Sequence, residues 1–327
     1  MLRCYKYDLA RLVEVPTSDI TTATNLVWLD LFNPTPEEEA LVTGLTAVVI
    51  PTKAEMEEIE LSARLYTEDG AEFMTMTALS GLDTDDAVKT AITFILKGKA
   101  LISVRFADPK PFLAFLSRAQ KPKSVPCISG EQVFLGLLEA MTDRTADALE
   151  RLGNEIDQIS RDVFRKKKST AEKFQQDLRS IIVQIGNKAE LLTMVQESLV
   201  SISRLIAYHG AGNDGTTKLA RDARQMAKLI QRDALSLGEH ARALSTKINF
   251  LLDATLGLIN LEQNQIIKIF SVAAVVLLPP TLIGSVYGMN FAYMPELEWT
   301  WGYPFSLGLM VLSAVLPFLY FKRRGWL

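Results

Sequence analysis

Cysteine is scarce. The 327 residues hold two, Cys4 and Cys127, far apart and without the paired spacing of a metal site. A disulfide framework is unlikely, and a reducing compartment is the default. Basic charge is not in excess: 35 Lys and Arg stand against 38 Asp and Glu, a net of −3. That balance argues against a dedicated nucleic-acid binder, which is normally basic. The N-terminus, MLRCYKYDLARLVEV, has no apolar core followed by a small-residue cleavage site. No secretory signal is read, and the first 265 residues are expected in the cytosol. The two histidines, His209 and His240, have no Cys or carboxylate constellation around them in the sequence. Both read as surface or hairpin-end residues, not zinc ligands. No Ser/His/Asp or Cys/His arrangement points to catalysis, so no catalytic residue and no catalytic cofactor is expected.

The most informative absence is charge within one stretch. From Ile269 to Phe321 the charged residues are Glu296 and Glu298 alone. Residues 1–265 carry 31 Lys and Arg and 36 Asp and Glu, a net of −5, while residues 266–327 carry four basic and two acidic residues. The mean hydropathy of +0.14 therefore averages a charged body and an apolar tail.

The tail holds two runs, about Ile266–Tyr287 and about Gly302–Phe321. Each is close to the ~20 residues that span a bilayer as a helix. Tyr287, Phe291, Tyr293, Trp299, Trp301 and Tyr303 crowd the connecting loop, and Tyr320, Phe321 and Trp326 mark the other end. This is an interfacial aromatic belt. Lys322, Arg323 and Arg324 close the second run and Lys268 opens the first. By the positive-inside rule the 288–301 loop faces outward and both termini face the cytosol. Two buried helices of a soluble protein would use such runs differently, without belts or a basic clamp. Pro279 and Pro280 interrupt the first run. They imply either a kink with a function or a tolerated distortion.

The body alternates strand and helix signals. Leu26–Phe32 reads as a strand. Thr35-Pro36-Glu37-Glu38 and Thr52-Lys53-Ala54-Glu55 are helix starts with a capping box. Ala71–Leu79 is a strand, and Thr90–Leu96 with Ala100–Phe106 reads as a hairpin around Gly98. Residues 1–125 are thus an α/β domain with a mixed or antiparallel sheet. From Ser129 the pattern is helical: a helix to about Lys167, then a second from Ser169 to about Tyr208, forming a 126–215 hairpin. Gly210–Gly215 lacks the Gly-Lys-Ser/Thr ending of a phosphate loop and reads as the hairpin tip. From Thr217 no strong breaker occurs before Pro279. One helix through Tyr287 would join a 216–265 stalk to the first span.

Along this helix, Asp253, Leu256, Asn260, Asn264, Ile267, Ser271, Ala274, Leu278, Thr281, Ser285 and Gly288 recur at a period near 3.5. Small uncharged polar groups alternate with apolar ones, and Asp253 is the single charge. Polar side chains in a bilayer face a bundle interior or water. The spacing fits either a pore face or a packing seam with polar residues as glue. Two spans cannot enclose a water path, so a pore would need several copies of the chain.

The residues after the first span sharpen this. Tyr287-Gly288-Met289-Asn290, followed by Met294-Pro295-Glu296-Leu297, resembles the CorA family of magnesium transporters. The likeness extends back through Asn264–Ser271 and Leu278-Pro279-Pro280-Thr281, and forward through Trp301-Gly302-Tyr303-Pro304 to the 322–327 basic tail. It is strong over about the last 80 residues and a matter of layout elsewhere.

The resemblance implies a funnel-shaped homopentamer: an α+β cytosolic domain, long helices and two C-terminal transmembrane helices, in a bacterial inner membrane. It implies that Gly288, Met289 and Asn290 form a selectivity filter. It places Thr281, Asn264 and Asp253 as polar rings of the pore, Leu278 and Ile267 as constrictions, and Ser271 and Ser285 on the same lining. Glu296 and Glu298 would attract cations at the mouth. The implied function is electrochemically driven Mg²⁺ uptake, passing Co²⁺ and Ni²⁺ as well. Intracellular Mg²⁺ would gate it as a regulatory ligand between subunits, with Asp83, Asp85, Asp86, Asp222 and Asp233 as candidate ligands. Zinc transport on the same fold is an alternative, against which Met289 argues. A non-conducting membrane sensor or scaffold is another.

Overall fold

Among the described residues, runs rich in β-branched and aromatic residues, broken by turn residues, form seven strands: β1 Leu2–Asp8, β2 Arg11–Val15, β3 Leu26–Phe32, β4 Leu65–Glu68, β5 Ala71–Ser80, β6 Val88–Lys97 and β7 Ala100–Arg105. Among the described residues eight α-helices and a short 3-10 helix, Thr17–Asp19, accompany them: α1 Pro36–Thr46, α2 Lys53–Met56, α3 Leu61–Arg64, α4 Lys110–Ala119, α5 Gly130–Phe164, α6 Ala171–Ala211, α7 Lys218–Tyr287 and α8 Gly302–Arg323. This computed structural model describes all residues except 21, 22, 24, 83–86, 124–126, 166–170, 212–217, 291–293, 296–298 and 327, and except the side chains of 171–176, 211 and 218.

The sheet order is β2-β1-β3-β7-β6-β5-β4. Every pairing is antiparallel except β3 with β7, where Leu29 lies opposite Ile102. The sheet is therefore mixed. The expected strands at 26–32 and 71–79 and the β6–β7 hairpin are present. Gly98 takes φ +61° in the turn between them, a conformation that glycine adopts at little cost. Strands β1, β2 and β4 are additional to the expected elements. Both expected capping boxes form: Thr35 with Glu38, and Thr52 with Glu55. Each reciprocally satisfies backbone donors at its helix start.

The sheet is covered on both faces, which explains why β3 is apolar at nearly every position. Leu29, Leu31, Ile95, Ile102 and Val104 pack with Val42 of α1 and Met56 of α2. On the other face Trp28 and Phe94 meet Phe112 and Phe115 of α4 and Phe134 of α5. The start of α5 is pressed onto the sheet. A Cβ on Gly130 would collide with the backbone of Ala100 and Leu101, and the Gly130 N–H donates to the Lys99 carbonyl at 2.7 Å. Cys4 and Cys127 are buried and free, and burial pushes both thiols up to about 12.

The chain divides into two units: residues 1–164 with 183–251, and residues 165–182 with 252–327. The sheet lies in the first. In the second, α8 and the C-terminal part of α7 are long and apolar enough to cross a membrane. Helix α6 runs through Gly210 and Ala211, two residues into the segment read as a turn.

Candidate functional site

The C-terminal part of α7 has two unlike sides. Val272 is buried, and Pro279, Pro280, Ile283, Gly284 and Tyr287 are half-buried. Gly284 is where α8 approaches: a Cβ there would stand 3.4 Å from Met310 Cε. At the other end of the pair, Lys268 Nζ lies 5.8 Å from the Trp326 ring centroid. The remaining side carries Asp253, Asn264, Ile267, Ser271, Leu278, Thr281 and Ser285, all exposed. At about 100° per residue this stripe lies roughly half a turn from the buried positions. Among the described residues, packing of the two helices uses one face and leaves the polar stripe exposed, together with the apolar Phe270, Leu277 and Leu282.

The stripe ends in a defined way. Gly288 N–H closes the last helical turn onto the Gly284 carbonyl at 3.0 Å, and Met289 N–H reaches the Val286 carbonyl at 3.3 Å. A Cβ at 288 would lie 3.0 Å from that same Gly284 oxygen, so glycine lets the chain leave the helix without shifting it. Gly288, Met289 and Asn290 are exposed in sequence at this end. Thr281 Oγ1 donates to the Leu278 carbonyl at 2.8 Å. That bond uses its hydrogen and leaves its oxygen able to accept. Helix α7 is continuous through Pro279 and Pro280.

Glu296 and Glu298 lie outside the described residues, as do Asp83, Asp85 and Asp86. Asp222 and Asp233 are exposed on the N-terminal part of α7, where Asp233 Oδ1 is 3.5 Å from Arg232 Nε. Among the described residues no three His, Cys, Asp or Glu side chains converge as a metal site.

One expectation is corrected. His209 is not a surface residue: it is 8% exposed. Its Nδ1 lies 2.8 Å from Glu72 Oε2 and its Nε2 3.2 Å from Glu131 Oε1. Burial alone would push its pKa down, but the hydrogen bonds to Glu131 and Glu72 outweigh this and raise it to about 9. The ring is thus protonated at neutral pH, bridging two carboxylates, with an edge toward Phe134. A carboxylate constellation does surround it, contrary to the sequence reading. Its partners are 137 and 78 residues away in sequence, and no local spacing could reveal them. His240 is exposed.

The family model described as CorA-like Mg²⁺ transporter protein matches residues 23–323. A magnesium transport protein CorA from Pasteurella multocida is 32% identical over 327 residues, and one from Escherichia coli K12 is 33% identical over 330. Both alignments cover all of each chain. Among solved structures, the complete CorA magnesium transporter of Methanocaldococcus jannaschii superimposes with a TM-score of 0.79 at 18% identity, covering 100% of this chain and 99% of that one. Full-length CmaX superimposes with a TM-score of 0.69 at 14% identity.

Proposed function

Because the chain belongs to the family of CorA-like Mg²⁺ transporters, we propose that it is a homopentameric channel for Mg²⁺ uptake across a bacterial inner membrane. The observation that carries the reading is the exposed polar stripe of α7, set away from the side that meets α8 and ending at Gly288-Met289-Asn290. Two helices per chain cannot surround water. Copies of the chain arranged about an axis bring five such stripes together and bury a face that is otherwise unpartnered. Residues 266–287 and 302–321 are the spans, with the 288–301 loop outside and both termini in the cytosol.

In this arrangement Gly288, Met289 and Asn290 form the outer filter. Thr281, Asn264 and Asp253 form polar rings below it, Ser271 and Ser285 add hydroxyls, and Leu278 and Ile267 are constrictions. Mg²⁺ is small, prefers octahedral oxygen ligands and sheds water reluctantly. A ring of neutral amides and carbonyls can hydrogen-bond to the hydrated ion without stripping it. Conduction needs such moderate binding, since a carboxylate ring would hold the ion too long. Glu296 and Glu298 raise the local cation concentration at the mouth. A divalent ion gains roughly 4.6 kcal/mol per 100 mV of inside-negative potential, enough for uptake without a second coupled ion or a reaction step.

Co²⁺ and Ni²⁺, with similar octahedral demands, pass the same filter. Mg²⁺ on the cytosolic side closes the channel by binding between subunits, with Asp83, Asp85, Asp86, Asp222 and Asp233 as the ligands to test. The experiment is ion entry into proteoliposomes carrying the full chain under a negative-inside potential. Mg²⁺ entry that slows as internal Mg²⁺ rises supports the reading. Absence of Mg²⁺ entry at every internal concentration overturns it, and entry of Zn²⁺ without Mg²⁺ reassigns the ion.

A further inference from the structure

The first unit contains a cleft of roughly 740 Å³ between the α3 region, strands β5 and β6, α6 and α7. This size lies within the range of small-molecule sites. Three guanidinium groups from three separate elements line it: Arg64 of α3, Arg204 of α6 and Arg242 of α7. Among the described residues no carboxylate lies within ion-pairing distance of any of them. The acids of the wall have other partners: Glu197 pairs at 2.8 Å with Lys89, which also lines the cleft, and Glu57 lies 3.9 Å from Lys53. Glu239 lines an adjoining groove that shares Arg204 and Arg242, yet it also stands beyond ion-pair reach of them.

Like charges gathered without counter-charge are costly. Arg64 shows this: burial, and then the field of Arg204, push its pKa down. Its Nε donates to the Glu58 carbonyl at 2.7 Å and a terminal nitrogen donates to Thr77 Oγ1 at 3.1 Å. Those neutral acceptors position the group without neutralising it. A second observation points the same way. The side-chain nitrogen of Gln196, also in the cleft wall, is buried and donates to nothing. A buried donor without an acceptor is costly unless something supplies one. The buried unsatisfied atom of this wall is thus a donor.

We propose that this cleft binds a phosphorylated organic anion of nucleotide size. Guanidinium forks match phosphate oxygens in pairs, and three forks on three elements require a ligand with several acceptor oxygens. The rim supplies the other half of the match: Ile59, Leu61 and Val200 are exposed large apolar side chains beside the arginines. They offer an apolar bed to a planar or carbon-rich moiety. Because Arg242 lies on α7, the ligand touches the helix whose far end carries the polar stripe.

The test is calorimetric titration of the full chain in detergent with ATP, without and with Mg²⁺, beside inorganic phosphate and citrate. ATP is expected to bind saturably and more tightly than either small anion. Arg204→Ala and Arg242→Ala should each weaken it about tenfold or more, Arg204→Lys less so, and Gln196→Ala measurably. Arg232→Ala, an exposed position elsewhere on α7, should leave it unchanged. Circular dichroism and assembly mass check that each variant is folded. Three results overturn the proposal. They are no saturable ATP binding by the wild type, binding unchanged in folded Arg204→Ala and Arg242→Ala, and citrate or phosphate binding as tightly as ATP. If the wild type binds none of them and Arg204→Ala lowers the assembly mass, the cleft is a contact between copies instead.

Discussion

Arg105 grips both carboxylate oxygens of Asp30 inside the sheet, with Nε 3.0 Å from Oδ1 and a terminal nitrogen 2.8 Å from Oδ2. Each side chain is 3% exposed. Ser103 Oγ donates to Asp30 at 2.8 Å and itself accepts from Trp28 Nε1. The guanidinium also sits between the rings of Phe32 and Phe112. Removing one partner of such a pair leaves an uncompensated buried charge, which costs about 3–5 kcal/mol. Arg105→Met should therefore lower stability by about that amount. The double variant Arg105→Met with Asp30→Leu should recover much of it. Urea unfolding of the full chain followed by circular dichroism measures both, and equal losses would contradict the reading.

His209 predicts a dependence on pH. Its folded pKa of about 9 lies above the unfolded value of about 6.5. The folded state holds the proton more tightly, so the stabilisation is complete below about pH 6.5 and is lost as pH rises through about 9. Melting temperature should fall across that window in the wild type. In His209→Gln it should be lower at pH 6 and nearly flat. A wild-type curve as flat as the variant's would count against the bridge between Glu72 and Glu131.

Gly130 and Gly136 separate two kinds of close approach. A Cβ at 130 meets sheet backbone, while one at 136 meets the Phe115 ring. A ring can turn aside and a paired strand cannot. Gly130→Ala should destabilise by roughly 3 kcal/mol or more, and Gly136→Ala by roughly 1–2. Denaturation midpoints of the two variants give the order, and the reverse order would refute the comparison.

Asn290→Ala should abolish or deregulate Mg²⁺ entry while leaving assembly mass unchanged. The amide is the largest neutral acceptor in the Gly288-Met289-Asn290 segment. Unaltered flux would remove this residue from the filter.

Mass in detergent tests the assembly. A single chain is 36.3 kDa, and the pore reading requires five. A monomer or dimer that still conducts would exclude a central path lined by α7.

Much of the architecture was legible because it repeats at short range. The 3.5-residue recurrence from Asp253 to Gly288 needed no partner to be seen, and the exposed side of α7 carries those residues. The capping boxes at Thr35 and Thr52 lie within four residues. What stayed hidden depends on residues far apart in the chain. LVWLDLF reads as a strand, but Asp30 within it finds its cation 75 residues later. Arg64, Arg204 and Arg242 come from three elements with no common motif. Strand β1 carries Arg3, Lys6 and Asp8 among its apolar positions, which blurred its alternation. In the proposed assembly the stripe meets other copies, and among the described residues of one chain it is only an exposed face.

Pro279 and Pro280 have a mechanical consequence. Neither ring nitrogen can donate, so the carbonyls of Val275 and Val276 have no partner one turn ahead. Curving a helix at an ordinary position stretches bonds that are still made. At this point two are already absent, like a rod scored along one line. Bending there costs less than bending elsewhere. It would let Thr281 and Ser285 swing as one stiff piece against Ile267 and Asn264 as another.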